Sequence, residues 1–332
     1  MDPLTHGLAS YALTRAIFPR AGGATLAGAL LAGTAADLDR LSAYVGPSAF
    51  LAWHRTFTHS VAIAILLAVL LATTLVLIGK QKNDPIKTIL PLFLTASLLH
   101  LAMDLSQNET VQLLWPFRPQ RYSLDSVAHL DLWILLMILA GTLLPLLLGL
   151  VTEEIGAKSK APRGRIGAAL ALLAVGVYIG GRLVLRGNAV ALLDARSYRG
   201  ELPRKVAAFA EPDTPFHWHG IVETERALHH FDLHLMRASA FNADSSVVSY
   251  KPDASRPLEA ARNTEAARRF LEAARFPKAS VERSDTGFRI ELRDFLQQRD
   301  ARSEKQIIAV IETDPNARVL SQELAWDSSI NK

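Results

Sequence analysis

Seven residues in the first third of the chain carry side chains that hold divalent metal ions: His6, Asp37, Asp39, His54, His59, His100 and Asp104. Their spacing bears on what they could do together. His100 and Asp104 are four apart, so on a helix they share one face a turn apart and can deliver an imidazole nitrogen and a carboxylate to one ion. Asp37 and Asp39, two apart where an apolar segment ends, suit a hard-ligand pair. His54 and His59 lie in His54-Arg55-Thr56-Phe57-Thr58-His59-Ser60, immediately before the apolar run Val61–Ile78. Ionisable groups at such a boundary are costly to desolvate and therefore mark function. The bland alternatives are an aspartate-capped helix-end histidine, a loop in which Asp39 pairs with Arg40, and a polar cluster met by lipid headgroups. The chain has no cysteine, so thiolate ligands and disulfides are excluded and a metal must be held by imidazole and carboxylate, zinc being the expected ion.

A second, looser set follows. Asp125, His129 and Asp131 fall in one polar loop; Asp131 reads as the N-cap of the next helix and His129 as a partner to metal-bound groups. Arg55, Arg118 and Arg121 could grip a phosphate by bidentate hydrogen bonds, or simply meet headgroups. Trp115 and Trp133 suit an interfacial aromatic belt. The tail histidines His217, His219, His229, His230 and His234 read as polar faces of strands, with His217 and His219 on one face.

The elements that must position these groups are mostly apolar helices. Asp2 reads as an N-cap and Pro3 as the first helical residue of a helix to about Phe18. Ala24–Ala36 follows, about 20 Å long at 1.5 Å per residue, short for a bilayer core and rich in small residues for close packing. Val61–Ile78, Thr88–Asp104, Leu132–Val151 and Ile166–Leu185 are the longer spans. The fold expected is an α-helical polytopic membrane domain of about six helices, the first two short, over residues 1–186. A soluble α+β domain with a mostly antiparallel sheet follows over 187–332. There, His219–Glu225 and Ala227–Met236 predict a hairpin, Ser280–Leu292 and Lys305–Glu312 further strands, and Asn263–Arg275 a helix capped by Asn263.

Charge is uneven: residues 1–186 carry a net +5 and residues 187–332 a net −1. The basic excess belongs to helix turns, not to a nucleic-acid patch. Arg15 and Arg20, Lys80, Lys82 and Lys87, and Lys158, Lys160, Arg163 and Arg165 place three turns in the cytoplasm by the positive-inside rule. The same parity sends the seven ligand-type residues, Asp125, His129, Asp131 and the tail to the opposite, extracytoplasmic side. The N-terminus lacks the basic start of a signal peptide.

The pattern His6-Gly7, Ala36-Asp37-Leu38-Asp39, His54-Arg55 with His59-Ser60, and His100 with Asp104 resembles the YdjM-like family of inner-membrane proteins assigned as metal-dependent hydrolases. The resemblance covers about residues 1–180, and the tail segments Arg268–Pro277 and Ile290–Phe295 look like members with an added soluble domain. It implies membrane-bound hydrolysis. The His-x3-Asp helix is also similar to that of the zinc-dependent phospholipase C and single-strand nuclease group, whose N-terminal Trp ligand this chain lacks.

The expected function is metal-dependent hydrolysis at the membrane surface. A divalent ion lowers the pKa of a water toward 7 and polarises the bond attacked, with Asp39 or Asp104 as general base and Arg55 at the reacting group. Headgroup depth and nearby arginines favour a phosphoester of a lipid or lipid-linked substrate. The alternative is a non-catalytic membrane anchor with a structural metal and the tail as a binding module. A transporter is disfavoured, because Val61–Ile78 and Leu132–Val151 contain no charge.

Overall fold

A computed structural model of the chain describes residues 1–79, 85–154, 164–236, 246–296 and 306–327. The order begins α1 (Pro3–Ile17), α2 (Gly23–Ala32), a 3-10 segment (Ala35–Tyr44), α3 (Pro47–Trp53), a short 3-10 turn (Phe57–His59), α4 (Val61–Leu77), α5 (Ile86–Leu105), α6 (Leu132–Glu154) and α7 (Arg165–Asp194). Strands β1 (Lys205–Ala210), β2 (His217–Glu223), β3 (Ala227–His234) and β4 (Val247–Tyr250) form one antiparallel sheet in that order. After α8 (Arg256–Arg262) and α9 (Glu265–Ala273), β5 (Pro277–Ser284), β6 (Gly287–Asp294), β7 (Ile307–Thr313) and β8 (Val319–Trp326) form a second antiparallel sheet.

Two described helices, α5 and α7, are long and apolar enough to cross a membrane; α3 with its following turn and α4, bent by 70°, could make a third span. Gly23–Ala32 and Leu132–Pro145 are apolar but shorter. Lys80, Lys82, Lys158, Lys160 and Arg163, which carry much of the topology argument, lie outside the described residues.

Small side chains let the helices close on one another. Ala9, Ala12, Ala29, Ala32, Ala68, Ala72 and Ala96 are all buried. A Cβ on Gly141 of α6 would stand 2.5 Å from the Gly167 carbonyl oxygen of α7, so the two backbones touch there. One apolar cluster joins α1, α5, α6 and α7, and another joins α1, α2, α4 and α5. Helix α1 belongs to both, so its first turn is fixed against the end of α5.

The tail differs from expectation in its detail. Ser280–Leu292 is not one strand but most of the β5–β6 hairpin, reversing at Gly287 with φ +149°. Any Cβ on Gly287 would meet the Thr313 carbonyl oxygen at 2.0 Å. The N-cap of α9 is Thr264, which accepts from the Ala267 N–H, while Asn263 closes α8. The single expected sheet is two sheets of four strands.

Candidate metal centre

The ligand-type residues come from five separate elements, and local sequence explains how each is presented. Asp2 accepts the Thr5 N–H at 2.9 Å and starts α1, which places His6 one turn in and buried. In α5, His100 and Asp104 occupy the buried face at the end of the helix. The 3-10 segment turns Asp37 and Asp39 inward while Leu38 and Leu41 stand exposed. Helix α3 stops at His54, and Arg55 takes a left-handed φ of +57° that most side chains avoid. The Arg55 N–H donates to Asp39 at 2.9 Å, so the unfavourable conformation is anchored by a charged acceptor. Ser60 then caps α4, leaving His59 buried just ahead of it.

Asp104 is the hub. Its Oδ1 lies 3.0 Å from His6 Nε2, 3.2 Å from Arg55 Nη2 and 3.0 Å from the Gln107 side-chain amide; the Met1 backbone nitrogen also reaches it. Its Oδ2 lies 2.9 Å from His59 Nε2 and 3.4 Å from His100 Nε2. The two Nε2 atoms are themselves 3.3 Å apart. The partners of the far ring nitrogens assign the tautomers. His100 Nδ1 faces the Gly33 carbonyl at 2.9 Å, and a carbonyl only accepts, so Nδ1 carries the proton. His59 Nδ1 faces the Asp39 carboxylate at 3.1 Å. The His100 ring therefore presents a lone pair at Nε2, while His59, set between the Asp39 and Asp104 carboxylates, meets a carboxylate through each of its nitrogens.

His59 Nε2, His100 Nε2 and Asp104 Oδ2 thus converge, and a cation, either a proton on His59 or a metal ion, resolves the arrangement. Ligand atoms around a tetrahedral ion with bonds of about 2.0–2.1 Å stand roughly 3.3 Å apart, close to the separations seen here. Asp37 strengthens the case: among the described residues neither oxygen of this buried carboxylate has a hydrogen bond, and Arg40 Nε is 3.7 Å away. A buried carboxylate without donors is costly, and burial pushes the Asp37 carboxyl up. His6, Asp37, His100 and Asp104 offer ligand atoms within 4.8 Å of one another. His59 overlaps that set through His100 and Asp104.

Asp39 and His54 stand one step back. Asp39 accepts from Thr58 at 2.6 Å, from the Arg55 N–H, and pairs with His59 and with His54 Nδ1 at 2.9 Å. Burial opposes its ionisation, but the bonds and charges of His54 and His59 hold it well below the usual carboxylate range. Arg55 is buried against Asp104, the Gln107 side-chain oxygen at 2.8 Å, and Glu109 at 2.8 Å. Its guanidinium is engaged by protein acceptors on each side.

Glu109, Gln107, Thr58 and the Gly33 carbonyl complete the centre without having been singled out in the sequence. Glu109 is half exposed and its Oε1 lies 3.9 Å from His129 Nδ1, so both mark the rim. Asp125 belongs elsewhere: it is fully buried and bound by Arg275 and Arg186. Asp131 caps α6 through the Trp133 N–H at 3.1 Å. Arg118 is exposed and Arg121 half-buried with Glu272 as its charged neighbour; among the described residues no hydrogen bond or ion pair joins either to the cluster.

Comparison with curated proteins and with solved structures returns no match. A family model described as YdjM inner membrane protein matches residues 1–189, which hold every residue of the cluster. With more than half of its length matched, the chain belongs to the YdjM inner membrane protein family.

Proposed function

We propose that the chain is a membrane-bound, metal-dependent hydrolase acting on a phosphoester of a lipid or lipid-linked substrate. The observation that supports this most is the meeting of His59 Nε2, His100 Nε2 and Asp104 Oδ2 within 3.4 Å of one another, with the His100 Nε2 lone pair turned toward the other two. His6, Asp37, His59, His100 and Asp104 would hold a divalent ion, zinc by the chemistry of the donors. When bound, such an ion supplies Lewis acidity and acidifies a water. The protein's own groups do the rest. Asp39 and the Gly33 carbonyl fix the rings of His59 and His100. Arg55 and Gln107 hold the Asp104 carboxylate in place. Asp39 has both oxygens engaged by hydrogen bonds, whereas neither oxygen of Asp37 meets a donor among the described residues, so Asp37 has an oxygen left to take a proton from water when the other faces the ion. His129, at the rim beside the ionised Glu109, is the group placed to protonate a leaving oxygen.

The lipid reading rests on the surroundings. Leu38, Leu41, Tyr44, Val45 and Trp53, from the segments that carry Asp37, Asp39 and His54, are all exposed. Such a rim of apolar side chains suits the depth of lipid headgroups. We further propose a multi-pass chain in the inner membrane with the centre and the tail on the periplasmic side. A cysteine at Ser280 should label with an impermeant reagent in spheroplasts and one at Ser159 should not; the opposite pattern would put the centre in the cytoplasm.

A second reading has its own support. Asp104 and His59 have no exposed surface and tie together α1, α5 and the segment before α4, as a structural metal would. The test is purified protein with bound metal measured and hydrolysis assayed against lipid phosphoesters. The expected result is that His59→Ala and Asp104→Ala each bind one ion per chain fewer than the parent and lose hydrolysis. Metal present with no hydrolysis of any lipid phosphoester would favour the structural role. Parent metal stoichiometry in both variants would remove the site assignment.

A further inference from the structure

The β2–β3 hairpin carries a second group of ligand-type side chains, in the part of the chain that the family model leaves unmatched. His217 and His234 are direct cross-strand partners, and Asp232, two residues before His234, shares its face. The two imidazole rings stack with centroids 4.1 Å apart and planes 20° from parallel. His217 Nε2 meets Asp232 Oδ1, and His234 Nε2 lies 3.5 Å from Asp232 Oδ2. The three residues offer ligand atoms within 4.8 Å of one another.

The orientation of His217 is what separates this group from an ordinary polar strand face. Its Nδ1 is held by the Asp213 carboxylate at 2.7 Å, from the loop between β1 and β2. A carboxylate on Nδ1 keeps a proton there and turns the Nε2 lone pair toward the opposite side of the ring. That side holds Asp232 and His234. A carboxylate behind one imidazole, with a second imidazole and a carboxylate in front of it, is the outer and inner arrangement of a histidine-held ion. The competing occupant is a proton, which would make His217 an imidazolium between Asp213 and Asp232. In that reading His234 only stacks on the His217 ring and approaches Asp232 at 3.5 Å, longer than an ordinary hydrogen bond, whereas a shared ion engages both imidazoles. The group is also reachable, since the His217 side chain is 15% exposed and that of Asp232 is 53% exposed.

We propose that the hairpin binds a divalent transition-metal ion through His217 Nε2, Asp232 and His234, with Asp213 positioning His217. Two imidazoles and one carboxylate favour zinc or a neighbouring first-row ion over magnesium or calcium, which prefer oxygen. This site does not depend on the function of the membrane centre.

The test uses the full chain in detergent, stripped by chelator and dialysed against Zn²⁺. His234→Ala and Asp232→Asn should each bind one ion per chain fewer than the parent. Asp213→Asn should keep that ion with affinity about 10–100-fold lower, the usual effect of removing a carboxylate behind a ligating histidine. His59→Ala should leave this ion in place, so the two sites report separately. Parent stoichiometry and affinity in both His234→Ala and Asp232→Asn would overturn the site and leave His217 a salt-bridged imidazolium. Equal binding of Mg²⁺ at the same site would overturn the class of ion.

Discussion

The chemistry of the centre depends on which atom each ring nitrogen faces, and Asp39 is the residue that decides it for His59. The asparagine in Asp39→Asn keeps the size and one acceptor oxygen but loses the charge shared by His54, Thr58, His59 and the Arg55 N–H. His59 can then rotate or change tautomer. Metal affinity should fall about 10–100-fold while the stoichiometry at saturating metal is unchanged, as equilibrium dialysis will measure. Unchanged affinity would make Asp39 a scaffold for Arg55 only. At this scale the sequence is readable where residue type is itself the signal. Histidines and aspartates beside apolar runs stand out because burying them is expensive. Gln107, the Gly33 carbonyl and Glu109 do not, since an amide, a backbone oxygen and a loop carboxylate are commonplace without their partners. Arg55 shows the converse problem. As a type it suggests phosphate, yet three protein acceptors already surround its guanidinium.

Elements were legible where a cap or an uninterrupted apolar run defines them, and less so where pairing does. Asp2 and Pro3 mark the start of α1, and Asp131 the start of α6, because capping is a local transaction between a side chain and the next turn. The reversal at Gly287 is harder to see. It depends on the Thr313 carbonyl of β7, which sequence does not place beside it. The Asp2 cap also carries a pH dependence. Burial raises the Asp2 carboxyl, but its bonds to the Thr5 side chain and N–H outweigh this and leave it lowered from 3.8. A carboxyl lowered on folding adds stability that is complete above 3.8 and is lost as pH falls through its lower folded value. Hydrogen exchange should therefore show the first turn of α1, and with it His6, opening in acid before the middle of α5. In Asp2→Ala that turn should be weakened already at neutral pH, by about 1 kcal/mol. Protection in Asp2→Ala equal to the parent at neutral pH would mean that packing alone holds this turn.

Across the whole molecule, the loop that closes the candidate metal centre is also the seat of the tail. Helix α7, about 45 Å long at 1.5 Å per residue, runs from the helical half into the first sheet, where Ala189 and Leu193 join the core with Trp218. Arg182, buried beneath the Trp218 ring, donates to the Ser126, Thr214 and Glu211 carbonyls. Asn108, next to Glu109, exchanges two hydrogen bonds with the Ala210 backbone. Asp125 makes the strongest link, with two bonds from Arg275 at 2.6 and 2.9 Å and one from Arg186 at 3.0 Å. None of this follows from composition, because the arginines lie 61 and 150 residues from the aspartate. It yields a prediction that separates docking from chemistry. Asp125→Asn keeps the turn but turns an amide toward two guanidinium groups. Breaking a buried pair costs about 3–5 kcal/mol, and the lower end applies because Arg275 and Arg186 retain some exposure and can turn to water. Hydrogen exchange should then rise at the Ala210 N–H and along β1, while β6 and β7, held by their own sheet, stay protected. Metal at the membrane centre should be retained, since Asp125 touches none of its ligands. If metal is lost as well, the tail is not merely seated on the centre but needed to hold Glu109 and Arg55 in place, and the two halves form one functional unit.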